Sequence, residues 1–443
     1  MSLVVPLEEI FASETGLLSA HHSWPRVQLG ELCTILNGFP FKSALFNRSK
    51  GNPVIRIRDL DRNETETLYD GEIPTDYWIK KGDLLIGMDG LFRCCEWQGR
   101  KAGLNQRVCK ISANERRLHP KFLLYGLNGY LKAIEAATSS VTVGHLSSRD
   151  ILRIPFPIPP LQEQRRIVPK LELLLSRVDG SKKRLERIPL LLKRFRQSVL
   201  AAACSGRLTE DWRNDRSLSE DVNCSTSEFP VNWSTKTLRD LAKVTSGFAF
   251  RSVDFVKQGI PAIKISNVQY GEFIEKNQEY LAERFLNESP SFQVHPGTLL
   301  MALTRPITNE TLKVCFYPTT AKTALLNQRV CKIEPKEVIA KDYLHAFMQT
   351  EGFKKQVKDN LSETLQPNLS PKALESFSVI LPPVSEQIEI VKRVEELFKL
   401  ADEIQQRYEK GKAFVDKLTQ SILAKAFRGE LVPQDPNDTE KAI

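Results

Sequence analysis

The side chains that could do chemistry in this 443-residue sequence are amides and guanidinium groups. The octamer LNQRVCKI occurs twice without change, at Leu104–Ile111 and Leu326–Ile333. Its Asn, Gln and Arg are residue types that make bidentate hydrogen bonds to the edges of DNA bases. A second pair of segments joins aromatic and basic residues, GFPFKS from Gly38 and GFAFRS from Gly247. Both patterns are compatible with a surface that contacts nucleic acid.

Motifs of common catalytic centres are absent from the sequence. It contains no GxxxxGK[ST] phosphate loop, and its only Asn-Pro pair, Asn52-Pro53, is not part of an amino-methyltransferase NPP[YF] motif. The eight cysteines form no C-x-x-C pair and the six histidines form no cluster, so we expect no metal site and reduced thiols. An enzyme with an unusual centre is the less favoured interpretation.

Charge and hydropathy narrow the class of protein. The net charge of +9 suits a polyanionic partner, although an ordinary solvated surface would also explain it. The first twenty residues lack the basic start of a signal peptide, and no apolar run is long enough to span a membrane. We therefore expect a cytoplasmic protein with no membrane partner.

An internal repeat organises the whole chain. Gly38 matches Gly247 at an offset of 247 − 38 = 209, and Leu104 matches Leu326 at 326 − 104 = 222. The PPLQEQ and PPVSEQ segments, at Pro159 and Pro382, match at 382 − 159 = 223. The register therefore shifts by 13 residues within the globular part and then stays nearly constant. The two copies should share one framework, with extra loop residues in the second copy.

Each copy begins with short β-like runs and a shorter helical stretch, which predicts an α+β domain with a mostly antiparallel sheet. A long helix follows in each copy, with an apolar stripe at coiled-coil spacing. We expect the two helices to pack together as an antiparallel coiled coil, although each could instead pack on its own domain. A shared kink or short break is predicted near Pro189 in the first helix and Gly411 in the second. Gly206 and Gly429 stand where C-caps belong.

This arrangement resembles a dimeric DNA reader fused into one chain. Because the globular parts differ, they should read different half-sites, and the helices should set the unread gap between them. Charge is uneven: residues 161–208 carry twelve basic and four acidic side chains, whereas residues 384–431 carry nine of each. The densest basic run, Lys193, Arg194 and Arg196, could contact phosphate or dock a partner subunit, or could simply be solvated.

Candidate DNA-binding residues fall into three groups. Lys42, Arg251, Arg107 and Arg329 belong to repeated segments and suit phosphate contacts, because domains that read different sequences should not share base-reading residues. Arg56, Arg58 and Lys264 lie on or beside strands and could face DNA or solvent. The candidates for base readout lie where the copies diverge: Arg62, Asn63, Arg93, Gln98, Arg100 and Lys101 in the first copy, and Gln269, Tyr270, Arg305, Asn309 and Lys313 in the second.

The helical segments also carry a family resemblance. LERIPLLLKRFRQSVLAAACSGRLTEDWR, from Leu185, and LTQSILAKAFRGELVPQDPND, from Leu418, resemble the two spacer regions of Type I restriction–modification specificity (S) subunits. The resemblance implies a subunit with no active site and no cofactor of its own. It also implies double-stranded DNA, two adenine-methylating modification subunits and restriction subunits as partners. S-adenosylmethionine, ATP and magnesium would be bound by those partners.

Together, the repeat and the resemblance predict a division of the chain. The expected segments are an N-terminal segment (1–23), a first target-recognition domain (24–158), a central helical spacer (159–208), a linker (209–232), a second recognition domain (233–381), a C-terminal spacer (382–432) and a tail (433–443). The two halves would be related by an internal pseudo-twofold repeat. The alternative function is an assembly scaffold that bridges two partners without reading bases.

Overall fold

The structure is a computed structural model that describes residues 6–11, 18–90, 92–138, 145–216 and 229–438. The chain divides into two compact units, residues 1–186 with 409–443, and residues 187–408. Parts of the predicted N-terminal segment, linker and tail lie outside the described residues. Within the described ranges, no helix combines the length and the apolar character needed to cross a membrane.

The first unit is built on two main sheets. Its four-stranded antiparallel sheet has the order β2-β10-β7-β8, and its five-stranded sheet has the order β3-β5-β4-β9-β6. The strands and helices run, in chain order, α1 (Leu7–Ile10), β1 (Arg26–Gln28), β2 (Cys33–Asn37), β3 (Phe46–Asn47), β4 (Asn52–Ile55), β5 (Leu68–Tyr69), β6 (Trp78–Ile79), β7 (Leu84–Gly87), β8 (Cys94–Glu96), β9 (Ala102–Leu104), β10 (Val108–Ala113), α2 (Pro120–Thr138), α3 (Ser148–Leu152), β11 (Pro155–Pro157) and α4 (Leu161–Leu185).

The second unit repeats this pattern with sheets of order β13-β23-β18-β21 and β14-β16-β15-β22-β17. Its elements are α5 (Ile188–Cys204), α6 (Glu210–Asn214), β12 (Ser234–Thr237), α7 (Leu238–Leu241), β13 (Ala242–Ser246), β14 (Phe255–Val256), β15 (Ile260–Ile263), β16 (Glu279–Leu281), α8 (Phe285–Glu288), β17 (Gln293–Val294), β18 (Leu299–Ala302), β19 (Ile307–Thr308), β20 (Thr311–Leu312), β21 (Val314–Phe316), β22 (Ala324–Leu326), β23 (Val330–Pro335), α9 (Lys341–Met348), α10 (Glu351–Asp359), α11 (Pro371–Glu375), β24 (Ser378–Leu381) and α12 (Val384–Phe427). The C-terminal part of α12 belongs to the first unit.

The strand registers confirm the shared framework. In the first unit, β4 and β9 are the parallel pair, and in the second unit β15 and β22 are the parallel pair. The other pairings in these sheets are antiparallel, as the mostly antiparallel prediction requires. The connection from β7 to β8 spans Met88–Arg93, whereas its counterpart from β18 to β21 spans Leu303–Lys313 and contains the added hairpin β19–β20. Of the 13 extra residues of the second copy, 11 − 6 = 5 therefore lie in this connection between framework strands.

The long helices pack in antiparallel fashion within each unit. In the first unit, Lys182 of α4 lies 3.8 Å from Asp416 of α12, and Arg166 reaches the carbonyl of Pro433 at 3.5 Å. In the second unit, Arg196 of α5 donates to Asp402 at 2.7 Å, and Arg393 donates to the Leu208 carbonyl at 2.8 Å. The buried residues of the predicted apolar stripes on these helices are Val168, Leu171, Val178, Leu192, Val199, Ala203, Val394, Ala401, Ile422 and Ala426.

Of the two long helices, the first is interrupted at the predicted position and the second is continuous there. The first spacer does break, between the end of α4 at Leu185 and the start of α5 at Ile188, and Pro189 occupies the first turn of α5. The second, α12, continues through Gly411 for 44 residues. Proline lacks the amide hydrogen and costs about 3 kcal/mol inside a helix, whereas glycine keeps the hydrogen bond and costs about 1 kcal/mol. The C-cap prediction is confirmed, since Gly206 and Gly429 follow the helix ends at φ 78° and 72°.

A buried glutamate at the first turn of each long helix ties the start of its domain to the spacer. In the second unit, Glu386 accepts from the indole of Trp233 at 2.9 Å and from Thr209 at 2.7 Å, and it pairs with Arg213. In the first unit, Glu163 accepts from Trp24 at 3.2 Å and from the Gln434 amide at 2.6 Å.

Their electrostatic settings differ. Burial raises the pKa of Glu163, and the hydrogen bonds from Gln434 and Trp24 only partly oppose that shift. A carboxyl with a raised native pKa holds its proton more tightly when folded, so ionisation of Glu163 above that pKa opposes folding. Glu386, in contrast, has the Arg213 guanidinium beside it.

We expect Glu386→Gln to destabilise the protein by about 3–5 kcal/mol, because it removes one partner of a buried ion pair. The matched change Glu163→Gln should cost less, about 1–3 kcal/mol, because it breaks no ion pair among the described residues but leaves one donor facing an NH2 group in place of a carboxyl oxygen. Urea unfolding of the two variants at pH 7 measures both. Equal losses would show that the ion pair with Arg213 does not matter to stability.

Candidate nucleic-acid interface

Within each unit, the octamer and the segment that begins at Gly38 or Gly247 contact each other through backbone atoms. A β-bridge joins Phe39 to Asn105, and its counterpart joins Phe248 to Asn327. A Cβ atom at Gly38 would lie 2.0 Å from the Asn105 carbonyl oxygen, and a Cβ atom at Gly247 would lie 2.2 Å from that of Asn327. Only glycine permits this approach. The backbone of the octamer turn is therefore part of the framework in both units.

Three predicted cations stack on aromatic rings of this framework. The guanidinium of Arg56 lies 4.8 Å from the centre of the Phe46 ring, and the ammonium of Lys264, at the equivalent place, lies 4.7 Å from that of Phe255. Lys101 covers the ring of Trp78 at 4.6 Å. Lys264 also pairs with Glu279 at 2.5 Å. These cations therefore have intramolecular partners already.

In the first unit, five of the predicted residues converge on two adjoining grooves. Arg62, Asn63 and Arg100 line a groove of about 710 Å³, and Arg58, Arg62 and Arg93 line one of about 780 Å³. Asn63 adopts φ 54°, and its side-chain oxygen accepts from the Gln98 amide at 2.9 Å, so it holds the loop rather than projecting freely.

Acidic side chains partly neutralise the second of these grooves, which we call the first-unit groove. Its lining includes Asp61, which pairs with Arg93, and Asp89. Asp89 lies 3.4 Å from Arg107 and 2.6 Å from His145. The octamer arginine of the first copy is therefore ion-paired within the chain.

In the second unit, the predicted residues Gln269, Arg305, Lys313 and Arg329 line one groove of about 220 Å³, the second-unit groove. Gln366 also lines it and lies 3.5 Å from Arg329. Among the described residues, no carboxylate lies within ion-pair distance of these three cations. This groove therefore presents guanidinium, ammonium and amide groups without an acidic neighbour.

The other predicted residues lie outside these grooves. Lys42 and Arg251 are exposed just before matching short 3-10 helices, and Arg251 lies 3.8 Å from Asp254. Tyr270 is exposed and forms a β-bridge to Val314. Asn309, at φ 50°, forms the tip of the β19–β20 hairpin.

The predicted basic run on the first spacer is largely paired within the second unit. Lys193 donates to Glu310 at 3.0 Å, and Arg196 pairs with Asp402 and stacks on Phe398 at 5.1 Å. Arg194 is exposed. Two of the three basic residues of this run, Lys193 and Arg196, are therefore ion-paired within the second unit.

Asp61, Asp89 and Gln366 line the grooves without being among the residues predicted from the sequence. Charge gives no reason to choose the two carboxylates, because DNA is an anion. A signal was available for Asp89. The bridges Asp89–His145 and Thr304–Asn368 occupy equivalent places, so the aligned repeat puts a carboxylate opposite a hydroxyl. Such a change of charge inside a shared framework marks a position that distinguishes the two domains.

Comparison with known proteins identifies the class of this paired framework. The family model described as "Type I restriction modification DNA specificity domain" matches residues 22–190 and again 230–410. The two matches cover most of the chain and correspond to the two copies of the repeat. The chain belongs to the Type I restriction enzyme specificity subunits, which is the family that the spacer segments predicted.

Relatives and solved structures agree with this assignment. The chain is 38% identical to the EcoBI specificity subunit of Escherichia coli, covering 95% of this chain and 88% of that one. It is 32% identical to the EcoKI specificity subunit of E. coli K12, covering 74% and 68%. The crystal structure of the HsdS subunit from Thermoanaerobacter tengcongensis matches with a TM-score of 0.58 at 18% identity, covering 93% and 98%. A chain from a type I R-M system structure matches with a TM-score of 0.67 at 18% identity, covering 93% and 99%.

We expect Gly38→Ala and Gly247→Ala each to destabilise the protein by several kcal/mol, about 2–5, because the new methyl group would overlap a backbone carbonyl that cannot move aside. Gly180→Ala is the matched control, since a Cβ there meets nothing within 4 Å, and on a helix it should stabilise by about 0.5–1 kcal/mol. Thermal unfolding of the three variants checks the contrast. A loss at Gly180 equal to that at Gly38 would refute the close-contact explanation.

Proposed function

We propose that this chain directs a Type I restriction–modification complex to an asymmetric, bipartite DNA target, with the recognition domain of each unit contacting one half-site. The observation that carries the proposal is a single framework that presents two grooves of different charge. A framework used twice suits the repeating backbone of DNA, and grooves that differ suit two different base sequences.

The partners follow from the family. Specificity subunits give a complex its target, so this chain would assemble with two adenine-methylating modification subunits and with restriction subunits, in the cytoplasm where its DNA target is found. Those subunits would bind S-adenosylmethionine, ATP and magnesium. The exposed parts of the spacer helices and the outer surfaces of the domains are available to seat them, with Arg194 among the exposed cations.

We expect DNA from cells that produce this chain with its modification subunit to carry methylated adenine in a two-part motif with an unspecified gap, detected by long-read sequencing. Replacing residues 24–158 with the corresponding domain of another specificity subunit should change one half of that motif only. The unmodified half provides the internal control. Methylation without any two-part motif would favour the assembly scaffold, and a change in both halves would contradict the modular assignment.

Arg329 of the second-unit groove is a predicted phosphate contact with no carboxylate among the residues that line its groove. We expect Arg329→Ala to weaken DNA binding by the assembled complex about equally for all sequences, and to lower the slope of log affinity against log salt by about 0.9. Lys243→Ala is the matched control, because Lys243 is exposed on β13, at the opposite edge of the sheet from β21. An unchanged salt slope for Arg329→Ala would remove this residue from the interface.

A further inference from the structure

One backbone position in the second-unit groove is strained. Arg305 adopts φ 45°, the left-handed region that glycine occupies freely and other residues rarely do. The equivalent position of the first unit, directly after the bridged residue Asp89, is Gly90 at φ 75°. The same turn is thus made with a glycine in one unit and with an arginine in the other. Strained non-glycine residues concentrate where the side chain has a task.

The neighbourhood of Arg305 holds this turn rigidly. Its amide donates to the Pro367 carbonyl at 2.7 Å, and the hydroxyl of the preceding Thr304 donates to Asn368 at 2.5 Å. Thr304 is buried, whereas Arg305 is exposed at the groove. The backbone is therefore fixed while the guanidinium projects from it, which is the arrangement that precise hydrogen bonding to a partner requires.

The charges around Arg305 restrict what it can bind. Lys313 and Arg329 line the same groove, and no acidic side chain is part of its lining. At the place of Thr304, the first unit has Asp89, and at the place of Lys313, directly before the matching strand, it has Arg93 paired with Asp61. A guanidinium free of carboxylates can donate two parallel hydrogen bonds to acceptors on one ligand edge.

We infer that Arg305 is a specificity-determining residue that recognises a guanine in the half-site contacted by the second unit, through its O6 and N7 acceptors. This inference rests on the proposed DNA-reading function. Guanine is the base that offers two adjacent acceptors in the major groove, and arginine is the side chain that matches them. Lys313 and Arg329 would hold the flanking phosphates. The first unit, with Gly90 at this place, has no counterpart of the contact.

The test is the methylation motif of the assembled complex carrying Arg305→Gly, with Lys243→Ala as the charge-matched control. Because glycine relieves the positive φ, Arg305→Gly should unfold at a temperature no lower than that of the unchanged protein. We expect one guanine position in one half-site to become degenerate, while the other half-site stays as it was. In competition binding, the penalty for replacing that guanine should fall from roughly 5- to 150-fold to nearly none. Lys243→Ala should leave the motif unchanged.

Three results would overturn the inference. An unchanged motif with Arg305→Gly, or a wild-type motif with no guanine in the affected half-site, would exclude base readout by Arg305. A uniform loss of affinity for all sequences, with the complex still assembled, would make Arg305 a phosphate contact instead. These results are distinct from failure of the proposed function, in which the wild-type complex itself yields no two-part motif.

Discussion

A glutamate and a glutamine at the start of each long helix hold each unit together. Glu386 joins the indole at the start of the second domain to Thr209 and Arg213, which follow the first spacer. Gln387 donates to the carbonyls of Pro382 and Val338 and accepts from Ala340. Because both side chains are fully buried, leaving any of these hydrogen bonds unmade would cost about 1–3 kcal/mol. In the second unit, the recognition domain, the start of α12 and the segment that follows the first spacer are therefore held together by these buried contacts.

These buried contacts determine which parts of the two units must be alike and which can differ. The glycine approach to the octamer turn, the parallel strand pair and the buried glutamate fix the backbone of both units alike. Loops that leave this framework carry no such requirement, and they differ in charge and length. Asp89 and Thr304 occupy equivalent β-bridges in the two units. Asp89 pairs with Arg107 and His145, whereas Thr304 donates a hydrogen bond to Asn368 of a neighbouring loop. Specificity can therefore change at such positions without a change of fold.

The sequence predicted the framework because its determinants are local or repeated. The two copies of the octamer, the apolar seam and the glycines after the helices each indicate one structural feature. The different fates of Pro189 and Gly411 could also have been predicted, since only proline removes a backbone donor. The role of the basic run could not, because the partner of Lys193 is Glu310, 117 residues away on the β19–β20 hairpin of the second copy.

Because basic residues can be ion-paired within the chain, a surplus of them is a poor guide to the surface that would bind DNA. The first spacer has the largest surplus of basic residues, but Lys182, Lys193 and Arg196 each have a carboxylate within 4 Å. Exposed pairs of this kind add little stability, about 0–1 kcal/mol, yet they reduce the positive potential that a phosphate would meet. In the second-unit groove, three cations have no acidic side chain among the residues that line it with them, and one of the three is held at a backbone angle that costs energy. The position of unneutralised cations, rather than their number, therefore separates the candidate reading surface from the scaffold.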